Sequence, residues 1–169
     1  TTVVSPTGVV CGSTTISPIV TLYNFGNNNI TSIDIIYDID GGGSTTFSWT
    51  GTLNPGSSIN VNLPNMVTTV GVHTFNVSTS LPNGNADSNL ANDGASSVFT
   101  ISLGNSATLV LDTDCWGYEN YWEIQDVTTA VVASGGNSTG IPPGGLQTAT
   151  NVDAGSYASQ TTITANVCL

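Results

Sequence analysis

Lysine and arginine are absent from this 169-residue chain, and histidine occurs once. Set against 11 acidic side chains, that leaves a formal net charge of −11. Charged residues usually make up about a quarter of a globular domain; here they make up 7%. The deficit excludes several things. No side-chain ion pair to Lys or Arg can form. No basic patch can neutralise phosphate, which argues against nucleic-acid binding. Anionic membrane surfaces repel the chain. Lysine-dependent isopeptide crosslinks and catalysis by Lys or Arg are ruled out by composition. A protease that needs a basic residue before the scissile bond has no cleavage site. Two readings fit: surface drift toward Ser, Thr and Asn, or selection to persist among extracellular proteases. Both place the chain outside the cytoplasm, as an extracellular or cell-surface protein.

Long apolar runs are also missing. No stretch approaches the ~18 apolar residues of a membrane-spanning helix, so no membrane insertion is expected. The start at Thr1-Thr2-Val3, with no Met or apolar leader, reads as a mature product whose export signal has been removed. Cysteines number three, Cys11, Cys115 and Cys168. An odd count in a secreted chain implies one bridge with a leftover thiol, or an intermolecular bridge. Their spacing matches no zinc motif.

Catalytic sets are scarce. A Ser-His-Asp triad could use only His73, which lies on a strand pattern, and no G-x-S-x-G occurs. A packed or hydrogen-bonded histidine is the simpler reading. A paired-carboxylate glycosidase on Asp114, Glu119 and Glu123 would need a deep cleft with basic and aromatic subsites. The sequence therefore reads as a non-enzyme.

What is present is strand and turn chemistry. Ser, Thr, Asn, Gly and Val dominate, and helical periodicity is nearly absent. Residues 18–53 organise the rest and read as a three-strand antiparallel unit. Ile33, Ile35, Tyr37 and Ile39 alternate with Asp34, Ile36, Asp38 and Asp40, the half-buried strand pattern. Gly41-Gly42-Gly43 supplies positive φ for a reversal. On the return, Phe47, Trp49 and Gly51 alternate with Ser48 and Thr50, and Trp49 is placed in the core. Upstream, Thr1 to Val10 is an edge strand kinked at Pro6 that ends near Cys11, and Gly12 to Ser17 is a polar turn. Downstream, Asn54-Pro55-Gly56 turns the chain. Strands follow at Ser58–Leu63, Val72–Thr79 with His73, Phe75 and Val77 inward, and Ala95–Leu103. Between the last two lies the loop LPNGNADSNLANDG. About seven strands with regular turns give the picture of an immunoglobulin-like sandwich.

Gly104-Asn105-Ser106 reads as a boundary. The fold class is thus all-β: an immunoglobulin-like antiparallel β-sandwich over residues 1–104 and a smaller β domain over 105–169. In the second unit, strands are expected at Ala107–Leu111, from Trp122 through Val127 and on to Ala130–Ala133, at Thr148–Val152, and at Thr161–Val167. SGGNSTGIPPGG (134–145) reads as irregular. So small a unit buries little by itself. A Cys115–Cys168 disulfide would staple it, stabilising by roughly 4 kcal/mol in the chain-entropy picture, and Cys11 is then the odd one.

The string from Pro6 to Cys11, then Asn24-Phe25-Gly26, Trp49-Thr50-Gly51-Thr52-Leu53, and the closing Asn83, Gly84, Asp87, Asn89, Asn92 and Asp93 resemble immunoglobulin-like repeats. These are adhesion domains of the CARDB type in secreted and cell-surface proteins of Bacteroidetes. The likeness covers residues 3–103. The second unit is similar to a small β module near the C-termini of such proteins, on Asp112, Asp114, Gly117, Glu119, Trp122 and Ile124. The resemblance implies an exported, non-catalytic, repeat-type protein.

Three candidate sites follow. Asp112, Asp114 and Glu119 form one acidic cluster that could hold calcium, which takes six to eight hard oxygens. Asp87 and Asp93, with Asn89 and Asn92, form a second; the rival reading for both is Asx-turn hydrogen bonding. Trp116, Tyr118 and Tyr121 could stack on sugar rings, with Trp122 in the core. Sequons begin at Asn29, Asn76 and Asn137. The functional expectation is a subunit or repeat of a cell-surface filament or adhesin, self-associating as a homopolymer through strand edges or termini, or contacting cell-surface proteins or glycans. The alternative is a carbohydrate- or calcium-binding accessory module of a larger secreted enzyme.

Overall fold

The computed structural model describes residues 1–138 and 155–169. The expected strand at Thr148–Val152, and the 134–145 segment from residue 139 onward, lie outside the described residues. The chain divides into two compact units, Thr1–Leu103 and Gly104–Leu169. Among the described residues the only helical pieces are short 3-10 turns.

In the first unit the strands are β1 (Thr2–Ser5), β2 (Gly8–Cys11), β3 (Thr15–Ile16), β4 (Ile19–Tyr23), β5 (Ile30–Ile39), β6 (Thr45–Leu53), β7 (Ser58–Asn62), β8 (Met66–Val67), β9 (Gly71–Ser80) and β10 (Gly94–Ser102). They form a three-stranded sheet, β1-β4-β7, and a five-stranded sheet, β2-β10-β9-β5-β6, with a small β3-β8 pair. All pairings are antiparallel except β2 with β10. This is an immunoglobulin-like sandwich. Val20, Leu22 and Val61 of the smaller sheet share one core with Ile33, Ile35, Tyr37, Phe75, Phe99 and Ile101 of the larger. Each such side chain contributes about 1.5–3 kcal/mol when fully buried.

Period two is obeyed along β5 and β9: Ile33, Ile35 and Tyr37 are buried, as are His73, Phe75 and Val77. Trp49 is in the core. A Cβ on Gly51 would sit 2.5 Å from Trp49 Cζ2, so the indole lies across the glycine. That close approach is why the return strand carries Gly there.

Several expectations need correction. Residues 18–53 are not one three-strand unit, because β4 belongs to the smaller sheet and only β5 and β6 pair. The Asn24–Asn29 connection carries the chain from one sheet to the other. Positive φ at the next reversal falls on Asp40 (58°) and Gly41 (72°) rather than on the three glycines. Asp40 is held in this conformation by its carboxylate, which accepts from Thr74 N at 2.7 Å and pairs with His73 Nδ1 at 2.7 Å. The kinked edge strand is two strands, β1 and β2, one on an edge of each sheet, with Pro6 buried between them. Within the supposed polar turn, Ile16 is a core residue.

The second unit contains β11 (Ser106–Asp112), β12 (Tyr121–Gln125), β13 (Val131–Gly136) and β14 (Thr162–Cys168), paired as β11-β14 and β12-β13. Residues 130–133 do not continue the strand before them. Asp126 reverses the chain, its Oδ1 accepting from Thr128 N (2.8 Å), Thr128 Oγ1 (2.6 Å) and Ala130 N (3.1 Å). Ser134 to Gly136 lie in β13, so that part of the expected irregular segment is strand.

The cysteine expectation is also overturned. Cys115 is a free, exposed thiol, whereas Cys11 and Cys168 are disulfide-bonded. With three cysteines in the chain, the bridge is Cys11–Cys168. Strand register gives the reason. In the β11-β14 ladder Cys168 faces Ser106, and Thr162 faces Asp112. Cys115 follows the Asp112 end, about 20 Å along the strand at ~3.3 Å per residue. A disulfide needs Cα atoms within about 7 Å.

Candidate functional site

A concavity opens at a loop end of the first unit. It has a volume of about 420 Å³ and is walled by the Asn24–Asn28 connection, Leu53 and the 82–93 segment. Asn24 builds one wall. Its side chain is buried and donates from Nδ2 to Asn28 O and Leu53 O, both at 2.8 Å. Its Oδ1 accepts from Gly26 N at 2.9 Å. Asn83 builds the other. Its Oδ1 accepts from Thr31 N at 2.7 Å, and its Nδ2 donates to Asn29 O at 2.8 Å. Asn83 holds φ at 52°, a conformation that suits asparagine.

This loop packing leaves Tyr23 and Phe25 stacked at the rim, centroids 5.7 Å apart and planes 15° from parallel. They remain 42% and 72% exposed. Asp87, Asn89, Asn92 and Asp93 line the same cleft. Asp87 Oδ1 accepts from Asn89 N at 2.8 Å, the Asx-turn arrangement. Burial holds the Asp93 carboxyl above its usual range, and the Asp87 charge and a side-chain hydrogen bond to Asp87 raise it further. Thr1 N donates to Asn92 O at 2.9 Å. Of the second expected calcium cluster, the structure thus joins Asp87 to Asp93. Among the described residues no group of three or more His, Cys, Asp or Glu side chains is placed to hold a metal ion.

His73 is held between two acceptors. Nδ1 donates to Asp40 Oδ2 at 2.7 Å, and Nε2 donates to Thr69 O at 2.9 Å. Both bonds are made at once only when both ring nitrogens carry protons, so the arrangement favours the imidazolium. The Asp40 hydrogen bond, then the Thr69 carbonyl, raise its pKa; the same bond to His73 and one from Thr74 N lower that of Asp40. The ring also contacts Phe99 at 5.6 Å. The chain's only histidine therefore ties the β5-β6 turn to the start of β9.

In the second unit the acids are engaged separately. Asp112 Oδ1 accepts from Thr162 Oγ1 at 2.7 Å, across the β11-β14 ladder. Asp114 Oδ1 accepts from Trp116 N at 2.7 Å, and Glu119 closes a 3-10 turn. Trp116 meets Tyr118 edge-on at 5.9 Å and is 49% exposed. The Tyr118 hydroxyl is buried without a hydrogen-bond partner among the described residues. Burial, then Glu119 and Cys115, push its pKa up. Tyr121 donates to Glu123 Oε1 at 2.7 Å, and Trp122 Nε1 to Tyr157 Oη at 2.9 Å. Asn137 is fully buried and donates from Nδ2 to Tyr118 O at 2.9 Å, so its amide nitrogen is closed to a glycan. Asn29 is exposed, and Asn76 donates to Asp38 Oδ1 at 2.9 Å.

A second feature is an open strand. β6 runs for nine residues and, among the described residues, pairs only with β5 and ends the larger sheet. It contains no charged residue and no proline. Lysines, prolines and inward charges are the usual protection of such edges. The sequence pattern marked this run as a strand but gave no sign that it lies outermost. The Tyr23–Phe25 stack was likewise missed; alternation from buried Leu22 points Tyr23 outward, but its partner depends on the turn at Gly26.

No protein-family model matches the chain, and no curated protein sequence matches it. Solved structures do. One is the crystal structure of the CARDB domain of the PF1109 protein from Pyrococcus furiosus in complex with di-metal ions. It is 20% identical, covers 60% of this chain and 84% of that one, and has a TM-score of 0.47. Another is the solution NMR structure of the same domain, at 21% identity, 60% and 92% coverage, and a TM-score of 0.47.

Proposed function

We propose that this chain is a non-catalytic structural module of an extracellular, cell-surface assembly, which joins copies of itself by strand addition at β6. The observation that carries the reading is a nine-residue edge that no strand among the described residues covers and that is free of charge and proline. Such an edge presents a row of backbone donors and acceptors to an incoming strand. Location outside the cell is supported by the Cys11–Cys168 bridge and by the absence of Lys and Arg. Among the described residues no helix is long and apolar enough to cross a membrane.

The affinity expected is modest. Roughly nine added backbone hydrogen bonds at about 1 kcal/mol net each face an association cost of about 4–15 kcal/mol. Assembly through this edge alone is therefore concentration-dependent. The test is light scattering with electron microscopy of the purified chain over a concentration series. Thr46 and Thr50 are exposed on β6, and Thr46→Lys with Thr50→Lys places charge along the edge. The wild type should form chains that the double variant does not, at equal thermal stability. A wild type that stays monomeric throughout, or a variant that assembles equally well, overturns the reading.

A further inference from the structure

We infer that the loop-end cleft of the first unit binds a neutral oligosaccharide, with Tyr23 and Phe25 as the stacking platform. The inference goes beyond the structural role above and uses a different part of the molecule. Four observations carry it. The volume, about 420 Å³, falls in the range of about 300–1,000 Å³ typical of small-molecule sites. The rim carries two stacked aromatic rings that remain substantially exposed. Open apolar rings beside polar groups are the usual mark of a ligand surface. The walls offer side-chain amides: Asn27, Asn28 and Asn92 line the cleft and their side chains make no hydrogen bond among the described residues. Each amide gives two donors and one acceptor oxygen, the match for a sugar hydroxyl, which is both donor and acceptor.

Charge sets the ligand class. Asp87 and Asp93 are the charged side chains in the lining, both acids, and the one cation beside them, the Thr1 ammonium, donates to Asn92 O, so the lining is net acidic. No Lys or Arg exists to hold a sulfate, phosphate or uronate. Acidic glycans would be repelled, so the ligand is uncharged. The hydrogen bonds of Asn24 and Asn83 brace the walls, which lowers the loop ordering required on binding.

The test uses the full chain and named probes: cellopentaose, laminaripentaose, mannopentaose and chitopentaose, titrated by calorimetry, with calcium chloride alone as a separate arm. At least one sugar should bind. Phe25→Ala should weaken it about tenfold or more, the scale of losing one aromatic contact, and Asn92→Ala should weaken it as well. Phe25 is a rim residue, so unchanged thermal unfolding of the variant is the control for folding. Trp116→Ala should leave affinity unchanged. The inference is overturned if none of the four sugars binds, or if binding survives Phe25→Ala but fails in Trp116→Ala. Calcium binding with no sugar binding also overturns it.

Discussion

Asn24→Ala tests whether one buried amide holds the loop end together. In the sequence Asn24 is one polar residue before a turn; in the fold it is 2% exposed and makes three side-chain hydrogen bonds. Its backbone adds two more, donating from N to Ser57 O at 3.0 Å and accepting from Gly56 N at 2.8 Å, which the substitution leaves in place. Leaving a buried polar group unsatisfied costs about 1–3 kcal/mol. The bond to Leu53 O is the buried one, so its carbonyl carries that cost in full. Asn28 O and Gly26 N lie in an exposed loop and recover much of theirs from water. The total expected is about 2–4 kcal/mol, which in a unit of this size lowers the unfolding midpoint by roughly 8 °C or more. The chain has two units, so a single global midpoint is not a clean readout. Hydrogen exchange with mass analysis resolves the first unit within the intact chain. Protection should fall throughout the first unit and remain unchanged in β11 to β14. Asn24→Asp is the sharper comparison. It keeps the acceptor for Gly26 N but turns a carboxylate oxygen toward two carbonyls, so it should destabilise at least as much as alanine. An Asn24→Ala variant within about 0.5 kcal/mol of wild type, or an Asn24→Asp variant more stable than it, would refute the reasoning.

Two further outcomes follow from the same hydrogen-bond and register arguments. His73 has a pKa raised above 6.5, so the stability it contributes is complete below that value and is lost as pH rises through its folded value; Asp40 is lowered below 3.8, so its contribution is present above that value and is lost as pH falls through the folded one. Thermal unfolding of wild type against His73→Gln should therefore show the largest gap between about pH 4 and 6.5, narrowing on both sides; a gap that widens at alkaline pH contradicts the imidazolium assignment. For the cysteines, iodoacetamide should label Cys115 in the folded, unreduced protein and label Cys11 and Cys168 only after reduction. Peptic mapping is required, because trypsin has no site in the chain, and recovery of a Cys115–Cys168 peptide would refute the register argument.

How much of this was legible in the sequence depends on the range over which each feature is decided. The faces of β5 and β9 were legible because side-chain direction alternates locally along any extended strand. The sheet to which β4 belongs was not, because it is set by the path of the Asn24–Asn29 connection and not by β4 itself. The disulfide was not, because Cys115 and Cys168 sit at opposite ends of a ladder whose register no local pattern reveals. The acidic residues show the most instructive gap. Composition alone suggested that carboxylates without basic partners would gather around a cation. In the fold they are dispersed onto neutral donors: Asp34 onto Ser48, Asp38 onto Gly41 and Asn76, Asp112 onto Thr162, Asp126 onto Thr128 and Ala130. A carboxylate that accepts such bonds is stabilised in its charged form without any opposite charge. The abundance of Ser, Thr and Asn is therefore the counterpart of the missing Lys and Arg, since it supplies the hydrogen-bond donors that ion pairs supply elsewhere. In the loop-end cleft Asp87 also has such a donor, Asn89 N, whereas Asp93 is raised by burial first and by the neighbouring Asp87 second.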